Sequence, residues 1–260
     1  MSTPAAIRVW ESHFTLYRTI WRSNVMGALL QPLLYLLGMG LGVGALVDRG
    51  ASADRLLDGL TYFQFLAPGL LATTGMMISA QESLWPVMGG FRWQRSFHAQ
   101  AASPLSPGEI TGGLALWQTT RSIISVGGVA VVLAFFSETR SPGLALAVLF
   151  GGLTGVAFAA PLTAWSATRE RDTSFPSVMR FVIMPLFLFG GAFYPVSQLP
   201  GWMQPVAKIT PLWHGVELCR GAVHGRLDVV EAIGHCSFLA VVAVGGWLLS
   251  RRAFATRLAA

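Results

Sequence analysis

The stretch GLALAVLFGGLTGVAFAAPLTAW, residues 143–165, decides the fold class. It carries no charge, and a helix needs about 20 mostly apolar residues to cross roughly 30 Å of hydrocarbon. Working outward, five further stretches qualify: 25–47, 62–80, 112–136, 178–194 and 229–250. Pro185 interrupts the fifth, which lipid tolerates where neighbouring helices re-satisfy the freed carbonyl. Composition agrees. Of 260 residues 53% are hydrophobic and only 12% charged, against roughly 25% charged in an ordinary soluble domain. So little charge cannot clothe a globule of this size, which excludes a soluble enzyme, a disordered chain and a nucleic-acid module despite a net charge of +6. The expected fold is all-α and membrane-embedded, with six transmembrane helices in one domain covering residues 1–260. No internal repeat or linker divides it.

Ahead of the first span, Ile7, Trp10, Phe14, Tyr17 and Trp21 recur at helical steps, with Arg8, Glu11, Thr15, Arg18 and Arg22 on the adjoining flank. That pattern predicts an N-terminal amphipathic interfacial helix over 3–22, aromatic side in the lipid boundary and arginines at the headgroups. The alternative is a first helix packed on other helices of the protein. No apolar core followed by a small-residue cleavage site marks a signal peptide. Eleven arginines fall on the side of the N-terminus and six basic residues on the other. This asymmetry places both termini in the cytoplasm.

The chemistry that is missing narrows the function. The five histidines form no HExxH pair, no G-x-S-x-G elbow occurs, and Cys219 and Cys236 have no ligand spacing, so no catalytic residue and no metal site is indicated. No span holds an acid near its centre, as a proton-coupled carrier would need. A phosphate-binding P-loop requires Gly-Lys-Ser/Thr, and the only lysine is Lys208, between Ala207 and Ile209. The chain therefore lacks a Walker-type nucleotide site, and any ATP drive must come from another polypeptide.

Several positions remain as candidates. Arg121 lies about ten residues inside the third span; it either faces a cavity as a contact for a polar substrate group or snorkels to the interface. Gly38/Gly42 and Gly40/Gly44 permit close helix contact, within the chain or between copies. Between spans two and three, Phe91 to Ala102 can form a short helix with aromatic and basic faces. Ser103-Pro104 ends it, and Ser106 then caps a new helix with Pro107 at its first position and Glu109 in the first turn. Such a helix suits docking on a soluble subunit, or is a plain connector. His214, Glu217, Arg220 and His224 are, with Arg121, the only polar groups available to the rival class, an intramembrane transferase or accessory membrane subunit. Glu217 and Arg220 also suit a simple ion pair along one helix.

Three pieces of the chain resemble the type-2 ABC exporter permeases, nearest the nodulation-factor, polysaccharide and drug exporter branch. The first is Phe65-Leu66-Ala67-Pro68-Gly69-Leu70, with Glu82 beyond it. The second is the short helix closing on Ser103-Pro104-Leu105-Ser106-Pro107-Gly108-Glu109-Ile110, where Ser103 replaces the family's usual Thr. The third comprises Gly190, Ala192, Leu199-Pro200, Pro211-Leu212, His214 and Arg220, in the family's order and spacing. The resemblance implies a half-transporter that pairs with a second copy or a paralogue in the cell inner membrane, contacts membrane lipids and no nucleic acid, and exports an amphipathic, lipid-linked or glycan- or drug-like substrate. It implies two separate ATPase subunits that bind the ATP and magnesium, so that this chain holds no cofactor. Phe91, Arg92, Trp93, Arg95, Phe97 and His98 would belong to the coupling helix seated in an ATPase groove, with Glu170, Arg171 and Asp172 nearby. Residues 201–225 would form two short re-entrant helices on the outer side, and Arg121 and Glu82 would face a cavity or substrate.

Overall fold

A computed structural model describes residues 5–50 and 53–259; among these there is no strand. Six helices are long and apolar enough to cross a membrane: α1 (Ala5–Val47), α2 (Tyr62–Arg92), α4 (Pro107–Leu133), α5 (Gly143–Ala167), α6 (Asp172–Phe189) and α9 (Val229–Ala259). Short helices join them, among them α3 (Ser96–Ala101) between α2 and α4, and α7 (Met203–Lys208) and α8 (Pro211–His224) between α6 and α9. The chain is a multi-pass membrane protein.

Local chemistry sets the boundaries. Thr61 caps α2 in a reciprocal box with Gln64, and Ser106 caps α4 in the same way with Glu109, with Pro107 at the first helical position as expected. Thr210 caps α8, which ends at Gly225 with φ 65°.

The stretch that announced the fold also sits at its centre. Helix α5 packs against α2, α4, α8 and α9, and the approach is close enough to need glycine. A Cβ on Gly75 of α2 would collide with the carbonyl of Gly151 in α5, and one on Gly155 with the Ser122 hydroxyl of α4. Gly151 and Gly155 form the Gly-x-x-x-Gly spacing that lets helix backbones meet without side chains between them. The sequence reading singled out the glycines of the first span instead. There only Gly40 and Gly44 touch another element, at Phe63 and Tyr62 of α2, while Gly38 faces open space and Gly42 meets only its own helix.

Four expectations are corrected. No interfacial helix separates from the first span: α1 continues unbroken from Ala5 through a π-helical stretch at Leu36–Val43 to Val47 (positions 3 and 4 lie outside the described residues). Trp10 and Tyr17 of its aromatic stripe turn toward α4, while Trp21 stays about half exposed. Trp10 donates to the Thr120 hydroxyl at 3.0 Å, and Tyr17 is buried against Trp117. Trp10 thereby buries ring area on protein while its indole N–H keeps a hydrogen-bond partner. At 1.5 Å per residue α1 is about 65 Å long, so it reaches well past the hydrocarbon. Second, α2 runs twelve residues past the expected end at position 80, so Glu82 lies inside a helix rather than beyond one. Third, α6 begins and stops early. Gly190 leaves helical geometry and Gly191 takes φ 85°, a conformation that other residues rarely adopt. Fourth, α9 continues to Ala259, because Phe254 and Arg257 find partners on α2, α3 and α5, described next.

Candidate functional site

At the end bearing the short connector α3, the aromatic side chains make a small core. Phe91 from the end of α2, Phe97 from α3 and Phe254 from α9 meet pairwise with ring centroids 4.7–5.0 Å apart. Arg257 lies over the Phe91 ring at 4.3 Å and donates to the Ala167 carbonyl at 2.7 Å, which ties the end of α5 to the same cluster. Helix α3 is shorter than the expected 91–102. Phe91 and Arg92 belong to α2, and Arg95 at φ 53° breaks the run before Ser96. Beside it opens a cavity of about 670 Å³ walled by Arg92, Trp93, Arg95, His98, Glu170, Arg257 and Phe91. Of the residues expected to couple, Arg92, Trp93, Arg95, His98, Glu170 and Arg171 are exposed, whereas Phe91 and Phe97 are buried. Arg171 and Asp172 do not line the cavity, and half-buried Asp172 begins α6. Phe254 and Arg257 were not foreseen; an aromatic and an arginine beyond the last apolar stretch were the available signal.

Deeper in the helices, Arg121 is 4% exposed and does not snorkel. Its Nε donates to Glu82 at 3.2 Å, Nη1 to Ser125 at 2.9 Å and Nη2 to Asn24 at 3.2 Å, and its guanidinium lies 4.9 Å from the Tyr17 ring. Each of the three guanidinium nitrogens has a partner, as a buried charge requires. Arg121 and Asn24 stand between two cavities. One of about 200 Å³ rises between α1 and α2 past Gln31 and Thr74; the other, of about 390 Å³, opens below.

At the opposite end, the residues of the third motif build a brace around the break in α6. Gly190 lies so close to Leu212 that a Cβ would come within 2.5 Å of it, and Ala192 and Leu212 have no exposed surface. Arg220 pairs with Glu217 at 2.9 Å, as its spacing suggests. It also donates to the Gly191 carbonyl at 2.8 Å and stacks over Phe65 at 3.7 Å. One side chain thus joins α8, the glycine turn and the start of α2. Leu199 packs with Val196 and Ala207, Pro200 is exposed, and Pro211 opens α8. The cluster that a transferase would need is split among separate tasks. His214 faces His235 at 2.7 Å between Nδ1 atoms and stacks on Phe238, while His224 contacts the Gln64 carbonyl. Among the described residues no group of three or more His, Cys, Asp or Glu is placed to hold a metal.

The three motifs that suggested a family therefore occupy the α3 junction at one end, the Arg220 brace at the other, and the buried helix α2 that runs between them. Residues 7–223 match the family model described as ABC-2 type transporter. The chain belongs to that family. Its relatives include Nodulation protein J of Rhizobium meliloti (strain 1021), 31% identical over 252 residues that cover 97% of this chain and 93% of that protein. Nodulation protein J of Rhizobium leguminosarum bv. viciae is 29% identical over 97% of this chain and 94% of its own. The Inner membrane transport permease YadH of Escherichia coli (strain K12) is 23% identical over 85% and 83%. This ABC-2 chain is accordingly a transport permease without a nucleotide-binding domain, and not itself an enzyme.

Proposed function

We propose that the chain is the membrane half of an ATP-driven exporter. It sits in the cell inner membrane with both termini in the cytoplasm, pairs with a second copy or a paralogue, and rests on two ATPase subunits that bind ATP and magnesium. Its substrate is amphipathic, either lipid-linked or glycan- or drug-like, and leaves the cytoplasm or inner leaflet. The supporting observation is the junction around α3. A six-residue helix is anchored from behind by Phe97 on Phe91 and Phe254, while Arg92, Trp93, Arg95 and His98 face outward around an open cleft.

A push on α3 reaches α2 through Phe91 and α9 through Phe254, so nucleotide-driven closure below has two long levers to move. Such a step needs an element with two arrangements that the bound nucleotide biases. On the outer side α7 and α8 form the two re-entrant helices, with Arg220 bracing the turn against α2. The exposed apolar side chains of α1 and α6, among them Leu30, Leu34, Phe181 and Leu188, face lipid and the second permease.

Reconstitution with a partner ABC ATPase subunit tests the reading. ATP-dependent movement of an amphipathic reporter into inverted vesicles is the expected result. In an Arg92→Glu/Arg95→Glu chain transport is lost while membrane insertion persists. Transport at the unsubstituted rate in that variant would refute the docking role.

A further inference from the structure

A proline inside a helix offers no backbone donor, and its ring crowds the carbonyl four residues back. Pro32 in α1, Pro68 and Pro86 in α2, Pro161 in α5 and Pro185 in α6 all stand in long helices. They deprive the carbonyls of Ala28, Gln64, Glu82, Ala157 and Phe181 of their usual partners. Among the described residues, only the Gln64 carbonyl meets a side chain instead. Nε2 of His224, in the last turn of α8, lies 3.0 Å from it in a part-buried contact. A carbonyl oxygen only accepts, so this contact puts the ring proton of His224 on Nε2.

Neighbouring donors act on the same stretch. Arg226, two residues on, gives Nη1 to the Asp58 carbonyl at 3.0 Å, in the turn that leads into α2. Arg220, one turn back, reaches the Phe65 carbonyl at a longer 3.4 Å. The arginines add contacts to carbonyls, whereas His224 replaces an amide that the helix itself would otherwise supply. The first turns of α2 are therefore completed by α8. We infer that His224 is a positioning residue for transport: it supplies the donor that Pro68 withholds, and so joins the start of α2 to the end of α8 as one mechanical unit. The inference rests on the export reading above and assigns a residue to its transmission step. Helix α2 has 31 residues, about 46 Å at 1.5 Å per residue, and its far end carries Phe91, packed on Phe97 of α3. A proline break left to itself bends and would absorb a displacement arriving from that end. Bridged by His224, it hands the displacement to α8, and through Arg220 to the carbonyl of the Gly191 turn.

The test measures ATP-driven transport into inverted vesicles with a partner ABC ATPase subunit, and thermal melting of the full chain in lipid nanodiscs. His224→Leu fills the space of the ring and brings no donor. It is expected to melt several degrees lower, because an acceptor is left unpaired, and to lose transport several-fold. His224→Gln carries an amide N–H to the reach of Nε2 and is expected to restore both. Pro68→Ala/His224→Leu separates a joint from mere packing. The alanine returns a backbone N–H to the Gln64 carbonyl, so this chain is expected to melt like the parent, yet its transport stays low because α8 no longer holds α2. Recovery of transport along with stability would reduce His224 to packing and overturn the inference. Parent-like behaviour of His224→Leu, or a His224→Gln chain as impaired as His224→Leu, would overturn it too. If His224→Leu alone fails to fold, the other two variants decide. A parent chain that moves no reporter would sink the export reading, and melting then judges the joint by itself: equal losses from His224→Leu with and without Pro68→Ala would refute it.

Discussion

Arg121 and Glu82 show how much one pair of side chains settles. The arginine was visible in the sequence as a charge inside an apolar run, but its fate was not, because Glu82 is 39 residues away and stood beyond the expected end of its span. Removing one partner leaves an uncompensated charge. Either Arg121→Leu or Glu82→Gln should cost on the order of 2–3 kcal/mol, somewhat less than the roughly 3–5 of a fully enclosed pair, since Glu82 keeps 22% of its side chain exposed. The double variant Glu82→Leu/Arg121→Leu should recover most of that. Thermal melting in detergent, followed by size-exclusion chromatography, checks all three; equal losses in single and double variants would deny the pairing. Glycines offer a second contrast at this scale. Gly75→Ala drives a methyl into the Gly151 carbonyl and should abolish a stable, monodisperse chain, whereas Gly38→Ala meets nothing and should melt within about 0.5 kcal/mol of the parent.

Among the elements, the start of α4 was the most legible. Ser106-Pro107 with Glu109 carries its capping chemistry within four residues, so a local reading suffices. Helix ends were less so. The shortness of α3 depends on the left-handed backbone of Arg95, which no residue type announces, and the length of α9 depends on contacts with α2, α3 and α5. That tail yields a prediction of its own. A chain truncated after Ser250 keeps every apolar residue of the expected last span, and it should insert normally and reach the membrane in full amount. It should still lose most ATP-coupled transport, because α3 then lacks Phe254 behind Phe97 and Arg257 no longer joins Phe91 to Ala167. Phe254→Ala should show the same loss in smaller degree. Full transport by the truncated chain would show that the aromatic cluster is packing only.

For the whole molecule, the arginine asymmetry and the six spans predict a definite orientation. A cysteine placed at Arg95 should react with a membrane-impermeant maleimide only from the cytoplasmic side, and one placed at Arg226 only from the opposite side, in a Cys219→Ala/Cys236→Ala background. Labelling of both positions from one face would refute the topology.

Composition and hydropathy alone were enough to declare a six-span helical membrane protein without a nucleotide site. Those properties are sums over local residues: apolar length against bilayer thickness, and the presence or absence of a phosphate-binding loop. The family motifs were legible for the same reason, since each lies within a short run of chain. The partners were not legible. That Trp10 and Tyr17 of the N-terminal helix face α4, that Arg121 meets Glu82, that Gly151 and Gly155 bring α5 against its neighbours, and that Arg220 spans three elements were decided only by the tertiary structure. Each of these contacts joins residues from different helices, and in an apolar chain many helix faces look alike until packing brings two of them together.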